Sequence, residues 1–126
     1  MNTKNYYNKM TYCKFDENHF LLYLNEAATE ITESQSETPV QGFSYTGPYD
    51  DGGTMIEATD ATYDAFVAGL LRAEYSANRV EAISLNRINA LADPTIERAA
   101  EFIAEFDALE AFRVSCKATA KAVLGI

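Results

Sequence analysis

Few side chains in this 126-residue sequence are placed to do chemistry, and each has a plain structural alternative. His19 is the single histidine, and it follows the turn-type cluster Asp16-Glu17-Asn18. To serve as the base of a nucleophile pair it needs a cysteine or serine held against it. Cys13 is close in sequence and Cys116 is distant, but no motif joins either one to His19. Cys116 falls in a helical seam where a small apolar residue fits, so a buried, inert thiol is expected there. The cysteines form no CxxC pair, and two free thiols in a reducing compartment are expected rather than a disulfide. Gly47-Pro48-Tyr49-Asp50-Asp51-Gly52-Gly53 is the one glycine-rich stretch. A phosphate cradle wants GxxxxGK[ST] with its lysine, whereas these aspartates repel phosphate, so a hairpin turn is expected. Asp50 and Asp51 could offer oxygens to calcium, yet the EF-hand spacing with its terminal glutamate is absent. Glu97, Glu101 and Glu105 recur every four residues, with Arg98 beside them. Paired carboxylates do acid–base work only in a shielded cleft, and a solvated helix face is the expectation. No catalytic, cofactor-binding or metal-binding residue is therefore assigned, and no enzyme is expected.

The elements that carry these residues divide near Ala58. The segment 1–58 reads as β-rich and 59–126 as helical, together one domain of the α+β class. A small N-terminal antiparallel sheet of β-hairpins is expected, followed by three C-terminal α-helices of which the last is long. Met10, Tyr12 and Phe15 alternate with polar residues, and the run Phe20 to Leu24 is short and apolar; with the turn between them they predict one hairpin. Val40 to Ala58 predicts a second, folded over the glycine-rich turn. Between these, Asn25 to Pro39 predicts a polar loop. Ala27, Ala28 and Ile31 could form a short helix, and Thr32 to Thr38 has almost nothing to bury.

Thr59-Asp60 predicts the start of a helix with Tyr63, Phe66, Val67, Leu70 and Leu71 on one face. Gly69 inside it suggests close approach of a neighbouring backbone. Ser76 predicts the cap of a second helix burying Val80, Ile83, Ile88 and Leu91, which ends before Asp93. Asp93-Pro94 predicts the cap and first residue of a third, with Gly125 at its end and a length of about 45 Å. Ala99, Phe102, Phe106, Leu109, Arg113, Cys116, Ala120 and Val123 form its heptad-like seam. Arg113 among apolar neighbours must reach a carboxylate or a carbonyl. The preceding helices or a second copy of the chain must cover this seam.

Net charge is −9, and it is unevenly spread. No lysine or arginine occurs between Lys14 and Arg72, an interval with eleven acids. Such a segment repels phosphate backbones, so nucleic-acid binding is not expected. No apolar run reaches the roughly 18 residues of a membrane span, and the N-terminus shows no signal core, so no membrane partner is expected and the location is read as cytoplasmic or within a virion. Tyr6, Tyr7, Tyr45 and Tyr49 exceed what the expected sheet can bury, and exposed aromatics mark interfaces. Either they pack on one another or they meet a partner.

The runs Gly42-Phe43-Ser44-Tyr45-Thr46-Gly47 and Asp51-Gly52-Gly53-Thr54, followed by Tyr63, Phe66, Gly69-Leu70-Leu71-Arg72 and Tyr75-Ser76, resemble small prophage-encoded proteins of gut bacteria. In those proteins a short β segment precedes a helix of this kind and a Lys- and Ala-rich helical tail, here Cys116 to Lys121. The resemblance implies a virion or tail-region accessory role and supplies no active site. The expected function is thus that of a non-enzymatic interaction or structural protein, using no cofactor. Its partner would be a protein, with a second copy (a homo-oligomer) as one option. The interface candidates are Tyr45, Tyr49, Phe102, Phe106, Leu109 and Arg113. The alternative is a small acidic regulatory or inhibitor protein that binds a basic partner.

Overall fold

The computed structural model describes residues 1–32 and 38–126. The fold is α+β: six strands, β1 Asn2–Tyr6, β2 Tyr12–Asp16, β3 His19–Tyr23, β4 Ala27–Ile31, β5 Val40–Gly47 and β6 Gly53–Glu57, precede three helices. The helices are α1 Tyr63–Glu74, α2 Ala77–Ala92 and α3 Ala99–Leu124. Two three-stranded antiparallel sheets form, ordered β1-β5-β4 and β2-β3-β6.

The expected hairpin of β2 and β3 is present, with Cys13 opposite Leu21 and Lys14 opposite Phe20. The second expected hairpin is corrected. Its turn closes, with Gly52 N–H donating to the Tyr49 carbonyl (2.9 Å) and Gly52 at a φ of +80°. Its arms, however, join different sheets, β5 pairing β1 and β4 while β6 pairs β3. The short helix expected around Ala27 to Ile31 is instead β4, and Asn2–Tyr6, assigned to no element from sequence, is β1. Both flank β5 in a sheet whose outer strands are largely exposed, as an antiparallel sheet tolerates. The loop expected over 32–38 lies mostly outside the described residues.

Phe20, Leu22 and Ile56 of the second sheet face Phe66, Leu70 and Leu71 of α1, and Cys116, Ala120 and Val123 of α3 complete this core. The approach of α1 to β6 depends on Gly69, because a Cβ there would sit 2.6 Å from the Glu57 carbonyl oxygen. Thr62 caps α1, three residues after the expected start, and Ser76 caps α2 as its sequence predicts, accepting from Arg79 N–H at 3.1 Å.

Helix α3 starts later than expected. Asp93 caps the end of α2, and its carboxylate accepts from the Thr95 N–H (3.1 Å). It thereby closes a turn instead of opening a helix. Arg98 then reverses the chain at a φ of +73° before Ala99. The 26 residues of α3 span about 39 Å, and Gly125, at φ 70°, ends it as predicted. The seam of α3 is covered within the chain. Helix α1 runs along its C-terminal half, where Tyr75 meets Phe112 and Lys121 lies over Tyr63. Helix α2 runs along its N-terminal half, where Arg87 lies 4.2 Å over the Phe106 ring. The two short helices thus follow one another along a single long one.

Candidate functional site

Three places gather the side chains singled out from sequence. The first joins the two sheets. The rings of Tyr6, Tyr23 and Tyr45 meet at centroid distances of 5.8 to 6.0 Å. Tyr23 donates to the Asp51 carboxylate (2.9 Å), Tyr6 to the Asp51 carbonyl (2.7 Å) and Tyr45 to Glu26 (2.7 Å). Asp51 also accepts from the Gly53 N–H, so this residue pins the turn to both sheets. Burial, helped by Cys13 and Asp51, holds the Tyr23 phenol well above its ordinary value. Burial and the Glu26 hydrogen bond do the same for Tyr45. These phenols stay protonated and act as donors in a structural clamp. The expectation that Tyr45 meets a partner is corrected: it is fully buried. Tyr49 remains 40% exposed, its ring 6.4 Å from that of exposed Phe15.

The second place is an open groove of about 520 Å³ lined by His19, Tyr49, Met55, Glu57, Gly69 and Arg72 among others. His19 Nδ1 lies 2.8 Å from Asp16 Oδ1, and both side chains are open to water. The Asn18 backbone N–H first, and His19 second, lower the Asp16 carboxyl below the usual range. Thr54 and Tyr49 are the only hydroxyl-bearing residues on its wall, and the Tyr49 hydroxyl is turned to Met55 sulfur (3.3 Å). Neither cysteine lines the groove; Cys13 is exposed on β2 and Cys116 is buried in α3, both as free thiols. Among the described residues no group of three His, Cys, Asp or Glu side chains is placed to hold a metal ion.

The third place is the pair formed by α2 and the first half of α3. On one side of α2, Ile83 and Ala90 are buried against α3, at 5% and 0% exposure. On the other side Leu85, Ile88 and Leu91 are 52%, 59% and 53% exposed. The expectation that Ile88 and Leu91 lie in the core is therefore corrected. Helix α2 carries two apolar faces, and α3 covers one of them. Leu109 is buried, while Phe102 and Phe106 are half-buried beneath the guanidinium groups of Arg98 and Arg87. Arg87 Nε is shielded from water without a hydrogen-bond partner, the ring face supplying its contact. Arg113 finds the carboxylate its position demands, Glu110 at 3.4 Å. Glu101 is clamped by Arg98 through two bonds of 2.7 and 2.8 Å, whereas Glu97 precedes the helix.

A helical period alone does not reveal the outer face of α2 as a free one. The available signal was the sparseness of charge: of the exposed α2 residues from Glu81 to Ala92, Glu81 alone is charged. No helix among the described residues is long and apolar enough to cross a membrane. In comparisons with known proteins, no family model, no curated protein and no solved structure matches this chain.

Proposed function

We propose that this chain is a non-enzymatic interaction protein, a virion or tail-region accessory component of the prophage type, that works through its helical surface. The observation that carries this reading is the exposed row Leu85, Ile88 and Leu91 on a helix whose opposite face is already buried. Large apolar side chains grouped on one exposed face mark a contact surface. The half-exposed Tyr49 beside Phe15 adds an aromatic patch of the kind interfaces use. The test is capture with the immobilised full chain from a lysate of phage-producing host cells. Stoichiometric retention of a virion or tail component, identified by mass spectrometry, is the expected result. Retention of nothing beyond a heat-denatured control would overturn the reading.

A second reading, capture of a basic partner, draws support from the interval between Lys14 and Arg72, where no lysine or arginine offsets the acids. In that case retention collapses between 50 and 500 mM salt, by screening of the carboxylates. Retention through the α2 face survives the same change.

A further inference from the structure

We propose that the hollow between strand β2 and the turn from Pro48 to Asp51 seats an arginine side chain of a basic partner protein. This deepens the basic-partner reading above and rests on it, naming the group recognised and the place. The hollow has a volume of about 340 Å³ and is lined by Phe15, Leu21, Pro48, Tyr49, Asp50 and Asp51. Leu21 is buried, whereas Phe15 and Tyr49 are exposed, with ring centroids 6.4 Å apart and planes tilted by 56°. The Tyr49 hydroxyl is tied to the Met55 sulfur, which holds its ring in place. The two aspartates differ. Asp51 uses both carboxylate oxygens inside the fold, on the Gly53 N–H and the Tyr23 hydroxyl. Asp50 is exposed, and its carboxylate has no hydrogen-bond or salt-bridge partner among the described residues.

Charge selects the occupant. No lysine or arginine lies between Lys14 and Arg72, and every residue lining the hollow falls inside that interval. Lys14 is turned over the Phe20 ring, and Arg72 lines the neighbouring groove. A cation is therefore favoured here and an anion repelled. The rings and Asp50 narrow the class. A guanidinium stacks flat on an aromatic face and forks onto a carboxylate at the same time. A quaternary ammonium has no N–H to offer Asp50, and a lysine ammonium is strongly hydrated and has no plane to lay on a ring. The chain itself shows the full arrangement at the start of α3. Arg98 lies 5.0 Å from the Phe102 centroid while bonding Glu101 at 2.7 and 2.8 Å. At Phe15, Tyr49 and Asp50 the rings and the carboxylate are present, and no arginine of this chain lines the hollow.

The closing experiment is an NMR titration of the full, isotope-labelled chain with Nα-acetyl-arginine amide, up to about 100 mM at constant ionic strength. Saturable amide shifts centred on Phe15, Tyr49 and Asp50 are expected, with a millimolar dissociation constant. Nα-acetyl-lysine amide and tetramethylammonium should each bind at least about threefold more weakly. Asp50→Asn and Tyr49→Ala should each weaken the arginine probe by about threefold or more, with the rest of the spectrum unchanged. Glu81→Gln, which removes an exposed carboxylate outside the hollow, leaves binding as it was. Shifts that do not saturate, or that spread over the acidic surface, overturn the site, as does equal weakening by Glu81→Gln. Either control cation binding as tightly as the arginine probe overturns the assignment to arginine. If salt-sensitive retention of a basic protein from lysate survives both hollow variants, the site falls and the basic-partner reading stands. If the probe binds but no basic protein is retained, that reading falls, and the proposal gives way to a small guanidinium ligand.

Discussion

The two halves of α3 lie in different surroundings. Its C-terminal half is covered by α1, which itself rests on β6, and Cys116, Ala120 and Val123 are all but closed off from water. Its N-terminal half is covered by α2 and by no strand in comparable depth. There the seam is less complete, with Phe102 and Phe106 half-buried under arginine side chains. One helix thus belongs to a layered core at one end and to a two-helix arm at the other. The core end gains from several neighbours at once, whereas the arm depends on a single row of contacts and has a second apolar row to spare.

The largest expected effect tests the core end. Phe66 is fully buried and meets the rings of Phe20 and Tyr12 at 5.2 and 5.4 Å. Phe66→Ala is expected to destabilise the fold by about 3–5 kcal/mol, read from urea unfolding. In the arm, Ile83→Ala should cost about 2–4 kcal/mol, while Ile88→Ala, on the outer face of the same helix, should stay within about 0.5 kcal/mol at dilute concentration. Equal losses at the two positions would mean that α2 has no free face. Hydrogen exchange sharpens the contrast: α2 amides should exchange ahead of those of α1, because the arm opens without disrupting the sheets.

A smaller effect concerns the clamp. Tyr23→Phe removes the bond to Asp51 and should cost about 1 kcal/mol at neutral pH. The phenols of Tyr6, Tyr23 and Tyr45 lose their protons at higher pH in the folded chain than in the unfolded one. Their contribution is complete below about pH 10 and is lost as pH rises beyond it. Tyr23→Phe should flatten that alkaline loss in melts taken across pH 9 to 11. The smallest effect is expected at Arg113, whose pair with Glu110 is exposed on both sides. Arg113→Ala should change stability by under about 1 kcal/mol, since solvent screens the pair.

What the sequence disclosed follows the strength of its local signals. Ser76, Gly125 and the α1 apolar face each rest on a capping residue or a clear period, and each is found in place. The β2–β3 hairpin is present too, but the half-buried alternation expected of its first strand is corrected: Met10 lies outside β2, and Tyr12 and Phe15 are exposed. Strands β1 and β4 carry too few large apolar residues for a period to show; pairing with β5 makes them strands. The turn at Gly52 announced a reversal, but turn chemistry does not say whether the flanking strands pair with each other. Tyr45 looked surplus because a single sheet was expected; the contact between two sheets buries it. Ile88 and Leu91 fit a helical period, and a period cannot distinguish a buried face from a second face left open. The Asp93-Pro94 pair reads as a helix start, yet its carboxylate serves a turn.

Arg98 is an unusual residue to find at the bend between α2 and α3. Its positive φ places a residue with a Cβ where the backbone favours glycine, at a cost on the order of 1 kcal/mol. The guanidinium clamp on Glu101 and its position over Phe102 offset part of that. A glycine at this bend would relax the backbone but release both side-chain contacts and loosen the unfolded chain. The bend at the tip of the arm thus balances backbone strain against two side-chain contacts, and a single position sets that balance.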